Sequence, residues 1–446
     1  MNGGTPEPEA GFLETPAGPI FAFYHPPAQR LDADPRVHAV LLCDPLGPDR
    51  MNLHLTHRAL AERLAEAGFA ALRFDPRGTG DSSGSPRDPD WPASWWADAQ
   101  AATSFLRARS GVPRLAAFGA RFGGTLATTV PDVDTLMLWG PYLNGRAFLR
   151  SEKALARMLG TNPAQRLPHH AAAGDEEYLG FVYPKAALDV IGRVSAMEQD
   201  RGRCARARLV AWDDTSPEAS LASRLESEGV AVDFDRPSGF QSDDSVVQQA
   251  VPAPMITELV EWLVRVDLDS AKSDDGQSRA MDRASRATEC SGDATARNGG
   301  PFEPALERRA RVDRGRPHSG VVEEEVLHFG EGHQLFGVLS MPPPDVPHRE
   351  GPGFILVNGG NNHRPGINRN YTEWARDAAL AGVTALRFDI RGLGDSPPHD
   401  PSLLNVIYRD VTQVDVRQAI DLMTARTGRS DVVIGGLCAG AYQAFD

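Results

Sequence analysis

The hydrophobic pattern of this chain changes period repeatedly, and the changes come in a fixed order. Val37 to Cys43 is a short apolar run bounded by proline and polar residues, which predicts a buried strand. His57 to Ala67 carries Leu60 and Leu64 four positions apart, a helical spacing, and Gly68 stops it. Ala70 to Phe74 is the next strand, Trp95 to Arg109 a helix, and Leu115 to Phe118 a strand. Thr135–Trp139, Ala207–Trp212 and Val230–Phe234 read as further strands, and an amphipathic helix covers roughly 254–264. Strand and helix in alternation predict a mostly parallel sheet with helices on both faces. A hairpin over 11–27 opens this part of the chain. A helical, loop-rich insertion at 150–200 reads as a cap over the sheet edge.

The pattern then repeats. Ala65–Ser82 is AEAGFAALRFDPRGTGDS and Ala379–Ser396 is ALAGVTALRFDIRGLGDS, 314 positions further on. A hairpin from Val321, strands at Phe354–Val357 and Thr384–Phe388, and a helix near 407–426 surround the second copy. That helix places Val416, Ile420 and Met423 on one face, and a last strand covers Asp431–Gly435. A repeat of this length means two tandem domains rather than a solenoid. The expected division is a first domain at 11–265, a disordered linker at 266–318, and the N-terminal part of a second domain at 321–446. The linker expectation rests on a charged, Ser/Gly-rich, aliphatic-poor composition. The second copy stops at Asp446, soon after its final strand, so the chain is expected to be a fragment of a longer protein.

Composition removes several functions. A formal net charge of −14 argues against nucleic acid or anionic membrane as the main partner. Cys43, Cys204, Cys290 and Cys438 show no paired spacing, so neither a disulfide framework nor a zinc site is expected. The N-terminus lacks a basic region followed by an apolar core, and no apolar run approaches the ~20 residues of a membrane helix. A cytoplasmic location is the expectation. No G-x-G-x-x-G opens a helix after a first strand, and His169-His170 lacks neighbouring ligands in sequence. No cofactor and no metal are expected.

The chemistry lies in the turn after the third core strand of each half. A strand, then G-x-(nucleophile)-x-G, then a helix is a nucleophile elbow. The second half has Gly436-Leu-Cys-Ala-Gly440, with Cys438 in the nucleophile position. Ala439 would supply one oxyanion-hole N–H. Gly360, in the Asn358–Asn362 loop, would supply the other, with Asn361 as runner-up. A buried structural cysteine is the competing reading. In the first half Gly119-Ala-Arg-Phe-Gly123 puts Arg121 in that position, and a guanidinium cannot attack a carbonyl. No histidine occurs between His170 and His318, so the first domain is expected to be non-catalytic. Arg121 would then bind an anion or pair with a carboxylate such as Asp213 or Asp214. Arg77 and Arg391, in the D-x-R-G-x-G-D-S loops, are expected to tie those loops to neighbouring groups.

On these residues the chain resembles the α/β-hydrolase superfamily, in its serine aminopeptidase-like branch. More closely, its halves look like the two hydrolases that accompany the exosortase A system of bacteria. FAFYHPP, Met51-Asn52, the elbow arginine and Trp139-Gly-Pro141 carry the first likeness. Gly359-Gly360, LRFDIRGLGDS and the elbow at 436–441 carry the second. The resemblance implies acyl-ester or thioester hydrolysis, or acyl transfer, through Cys438 in the full-length parent, on a small-molecule acyl substrate, with an acid and a histidine expected beyond this sequence. It implies a link to exopolysaccharide production and leaves room for a protein partner. The alternative is a non-catalytic binding or scaffold protein.

Overall fold

A computed structural model of the chain describes residues 6–29, 35–88, 90–159, 174–198, 204–213, 217–236, 251–285, 304–315, 320–349, 351–407 and 412–445. The first half contains β1 (Glu9–Leu13), β2 (Ile20–His25), β3 (His38–Cys43), β4 (Ala70–Phe74), β5 (Arg114–Ala120) and β6 (Thr135–Trp139). A two-stranded hairpin, β7 (Glu176–Tyr178) and β8 (Phe181–Tyr183), precedes β9 (Arg206–Val210) and β10 (Ala231–Asp235). Its helices are α1 (Pro48–Asn52), α2 (His54–Glu66), α3 (Trp95–Ser110), α4 (Phe122–Ala127), α5 (Gly145–Met158), α6 (Lys185–Arg193), α7 (Glu218–Ser227) and α8 (Ala253–Ser285). The second half contains β11 (Arg309–Asp313), β12 (Val321–Phe329), β13 (Leu335–Met341), β14 (Gly353–Val357), β15 (Ala385–Asp389) and β16 (Val432–Gly436). Its helices are α9 (Asn370–Leu380), α10 (Thr412–Thr427) and α11 (Ala439–Phe445).

Two sheets result. The first runs β1-β2-β4-β3-β5-β6-β9-β10 and is parallel from β4 onward. The second runs β11-β12-β13-β15-β14-β16, with its last three strands parallel. The β2-β4-β3-β5 run of the first sheet matches β13-β15-β14-β16 of the second, pairing for pairing. Each is a mixed sheet whose first parallel strand lies between the next two, β3 between β4 and β5 and β14 between β15 and β16. Val40, Leu42 and Phe118 face α2 and α8, while Leu41, Ala117 and Leu138 face the other side. Both faces of these strands are buried, which is why their sequences read as continuous apolar runs.

Ordered structure enters the segment expected to be a disordered linker. Helix α8 continues through residues 266–285, and β11 pairs with β12 in register from Arg309↔Glu325 to Asp313↔Val321. Arg309 and Arg311 face outward while Ala310 and Val312 are buried, so five residues suffice for a strand once a partner edge is present. Within that expectation, 286–303 and 316–318 lie outside the described residues, as do His169 and His170. Residue 307 also bridges back to the first sheet: Phe12 and Glu307 exchange backbone hydrogen bonds at 2.8 and 2.9 Å.

The halves meet through an apolar cluster with an ionic layer beside it. Phe21 and Phe23 of β2 pack on Phe336 of β13, with ring centroids 6.3 and 5.1 Å apart. Such aromatic pairs contribute about 0.5–1.5 kcal/mol beyond area burial. The Arg364 guanidinium lies 4.3 Å from the Phe336 centroid and pairs with Asp81 at 2.8 Å, Asp389 at 3.0 Å and Asp395 at 2.7 Å. His54 and His363 stack at 3.9 Å.

Candidate active site

Each half folds an elbow between a strand and a helix. Gly119 and Gly436 start the turns, and a Cβ at either position would overlap the backbone at Gly123 or Gly440. Arg121 and Cys438 both adopt φ 53°. A left-handed conformation at a non-glycine residue costs on the order of 1–3 kcal/mol and persists only where the surroundings enforce it. The shared conformation makes the two residues structural counterparts.

Cys438 is exposed at the tip of its turn, whereas Cys43 is buried in β3. Burial, with Asp44 nearby, pushes the Cys43 thiol up to about 12. The elbow is braced from below by Tyr371, whose hydroxyl accepts a hydrogen bond from the Leu437 N–H at 2.6 Å. Tyr371 is buried, and burial raises its pKa. The Asn358–Asn362 loop lies against the turn: a Cβ on Gly359 would sit 2.5 Å from the Leu437 carbonyl oxygen. Gly360 follows at φ 58°, and the space where its Cβ would stand is open to 4.0 Å. Ala439 is buried as the first residue of α11. Cys438, Ala439 and the Gly360 loop therefore share one end of the second sheet. Among the described residues no imidazole or carboxylate forms a hydrogen bond or ion pair with the Cys438 sulfur.

The first-half elbow is filled. The Arg121 guanidinium lies between two rings, 4.3 Å from the Tyr142 centroid and 4.4 Å from that of Trp212. It donates to the Tyr142 hydroxyl and pairs with Asp49 at 3.5 Å. Among the described residues the carboxylate that pairs with Arg121 is therefore Asp49 of α1, 72 positions away in sequence; Asp214 lies outside the described residues. Burial raises the Asp49 pKa, and Arg121 opposes that rise. Glu152 of the cap is nearly buried beside Tyr183, their oxygens 3.4 Å apart. Burial, with Asp49 adding to it, pushes the Glu152 carboxyl up to about 8.

Sequence reasoning also missed His57–Asp44. The His57 Nδ1 lies 2.5 Å from Asp44, and its Nε2 is buried without a hydrogen-bond partner against the Phe118 ring. His57 falls on an ordinary amphipathic helix and Asp44 just past a strand, so nothing local signals the pair. The loop arginines do what the sequence implied. Arg77 pairs with Asp98 at 2.8 Å and Arg391 with Asp415 at 2.9 Å, each reaching the helix that follows its loop. Among the described residues no group of three or more His, Cys, Asp and Glu is placed to hold a metal ion. No helix among them is long and apolar enough to cross a membrane.

The chain is similar to several known proteins. The serine aminopeptidase, S33 family (Hydrolase_4) matches residues 53–180. Among solved structures, Est1E from Butyrivibrio proteoclasticus is similar at 13% identity and a TM-score of 0.41, over 58% of this chain and 98% of that one. XC6422 from Xanthomonas campestris, described as an a/b serine hydrolase without lid, aligns at 18% identity and a TM-score of 0.35, over 58% and 94%. A hyperthermophilic esterase from the archaeon Pyrobaculum calidifontis aligns at 18% identity and a TM-score of 0.38, over 60% and 88%. No curated protein matches the chain. The family match and the strand order together give the first half an α/β-hydrolase fold.

Proposed function

We propose that this chain is an acyl-group enzyme of the α/β-hydrolase type whose nucleophile is Cys438. The observation that carries the reading is an exposed cysteine held at φ 53° between a sheet strand and a helix. The Cys438 thiolate would attack the carbonyl carbon of an ester or thioester. The carbonyl oxygen would take the negative charge, facing the N–H groups of Ala439 and Gly360. Collapse of the tetrahedral species would expel an alkoxide or thiolate, which leaves with a proton from solvent, and would give an S-acyl cysteine. Hydrolysis, or transfer to another acceptor, would return the thiol. The first half would be non-catalytic, since the Arg121 guanidinium fills its elbow. The resemblance to exosortase-associated hydrolases points to an acceptor in polysaccharide or lipid-linked assembly, and this belongs to the same proposal.

Incubating the chain with an acyl thioester and an activated ester, then mapping adducts by mass spectrometry, tests the reading. One acyl group on Cys438, absent in Cys438→Ala, is the expected result. Acylation elsewhere, or none across a broad acyl panel, would leave the binding or scaffold reading. That reading is favoured by one observation, the occupied elbow at Arg121.

A further inference from the structure

A cavity of about 250 Å³ lies where the two halves and the cap hairpin converge. Neither Arg121 nor Cys438 lines it. The volume is that of about eight waters in the liquid, enough for a ligand on the order of ten non-hydrogen atoms. Met51, Trp91, Phe181 and Val182 give it apolar walls, and Asn368 and Asn370 reach it from the second half.

Three polar atoms on this lining are buried without a hydrogen-bond partner: Trp91 Nε1 and the Oδ1 atoms of Asn368 and Asn370. Trp91 is only 5% exposed, so bulk water does not serve its N–H. Each such atom left unsatisfied costs about 1–3 kcal/mol. The backbone at this point is also held in an unfavourable form. Asn368 and Arg369 are consecutive left-handed residues, at φ 53° and 65°. Arg369 anchors them by donating to the Gly80 carbonyl at 2.8 Å and the Gly84 carbonyl at 2.5 Å. The arrangement fixes the Asn368 amide on the cavity wall.

The charge of the lining is positive. Arg50 is answered by Asp75 and Asp44, and Glu373 by Arg314. Arg369 meets backbone carbonyls rather than a carboxylate. Arg87, half-buried on the same lining, has no ion pair and no side-chain hydrogen bond among the described residues. A cavity with apolar walls, an unanswered guanidinium and an unused indole N–H matches a molecule with an apolar body and an anionic oxygen head.

We propose that this cavity binds a small amphipathic carboxylate, its head toward Arg87 and Trp91 and its body against Met51, Phe181 and Val182. The site is separate from the acyl-transfer reading, so Cys438→Ala should bind the same ligand unchanged.

Isothermal titration of the full chain with sodium octanoate, 1-octanol and inorganic phosphate tests the proposal. Octanoate should bind saturably at one site, 1-octanol at least tenfold more weakly, and phosphate not at all. Arg87→Gln should weaken octanoate about tenfold and leave 1-octanol unchanged. Val182→Trp, which fills the cavity, should remove both. Arg87 is partly solvent-exposed, so Arg87→Gln decides the matter even if Val182→Trp does not fold. The proposal falls if octanoate shows no saturable binding, if octanoate and 1-octanol bind equally, or if Arg87→Gln leaves octanoate affinity unchanged.

Discussion

Arg387 donates from Nε to the Asp81 carboxylate at 2.8 Å, across 306 positions of chain. Its counterpart in the first repeat, Arg73, donates to Asp395 at 2.9 Å. Each arginine comes from an L-R-F-D strand and each aspartate from the opposite G-D-S loop, so one contact is made twice. The matching carbonyls of Gly80 and Gly394 are also met from across the seam, though by arginines at non-equivalent positions. Arg58 donates to Gly394 O at 2.7 Å and Arg369 to Gly80 O at 2.8 Å. Reciprocal contacts of this kind define an isologous interface, here between two parts of a single chain.

The first prediction concerns this layer. Arg387 also serves Glu324 at 2.9 Å, and all three groups are buried. Arg387→Ala would leave Asp81 to Arg364 alone and Glu324 to Arg376 alone, and should destabilise the protein by about 1.5–3 kcal/mol. Urea denaturation should show the loss. A change below 1 kcal/mol would mean that the ionic layer does not hold the halves together.

A second prediction follows from the same charges. Burial opposes ionisation of Glu324 and Asp81, but their arginine partners outweigh it and lower both pKa values. Groups with lowered folded pKa values stabilise above the unfolded carboxylate range and lose that contribution as pH falls. Melting temperature should therefore drop as pH falls below about 4. Asp81→Asn should flatten that drop while lowering stability at neutral pH.

Glu152 should behave with the opposite sign. Its folded pKa of about 8 lies above the ordinary glutamate value of 4.5, so its contribution is complete below the latter and declines through the former. Over that window Glu152 should remove about 1.4 kcal/mol of stability per pH unit. Glu152→Gln should cancel that slope. Denaturation midpoints from pH 5 to 9, compared with the parent protein, provide the measurement. Parallel curves would show that the carboxyl titrates normally.

Cysteine accessibility gives a fourth test. A thiol titrating near 12 is thiolate at a fraction on the order of 10⁻⁴ at pH 8, and Cys43 is buried as well. Among the described cysteines, iodoacetamide should label Cys438 first, the half-buried Cys204 next and Cys43 last. Peptide mapping over a time course reads the order. Labelling of Cys43 before Cys438 would remove the exposed elbow from the account.

Arg121→Ala separates the two elbows. It would leave Asp49 without its cation and expose Tyr142 and Trp212 to an empty space, at a cost of about 3–5 kcal/mol. Cys438 acylation should persist at an unchanged rate in the folded fraction. A lost acylation rate in folded protein would show that the first half takes part in the chemistry.

Much of this was legible in sequence because local periodicity carries it. The core strands, α2, the cap and both elbows begin within a few residues of where the apolar pattern puts them. Strand β11 was not legible, since Arg-Ala-Arg-Val-Asp sits in a charged stretch and needs the β12 edge to become a strand. The extension of α8 was lost for a similar reason, because a charge-rich sequence scores as solvated whether helical or not. The partners of Arg121 and Arg387 lie 72 and 306 positions away, beyond any local window. At the candidate site the elbow itself was readable, whereas the Tyr371 brace under Leu437 depends on α9 crossing beneath the turn.

The matched elbows have a further consequence. In a symmetric pair of separate subunits, any substitution at the elbow appears in both copies at once. Two like sheets within one chain escape that constraint, because each elbow is encoded separately. Arg121 and Cys438 share one backbone conformation yet differ in side-chain chemistry. One copy is thereby free to become a fixed internal strut while the other retains a reactive atom, and specialisation needs no change of fold.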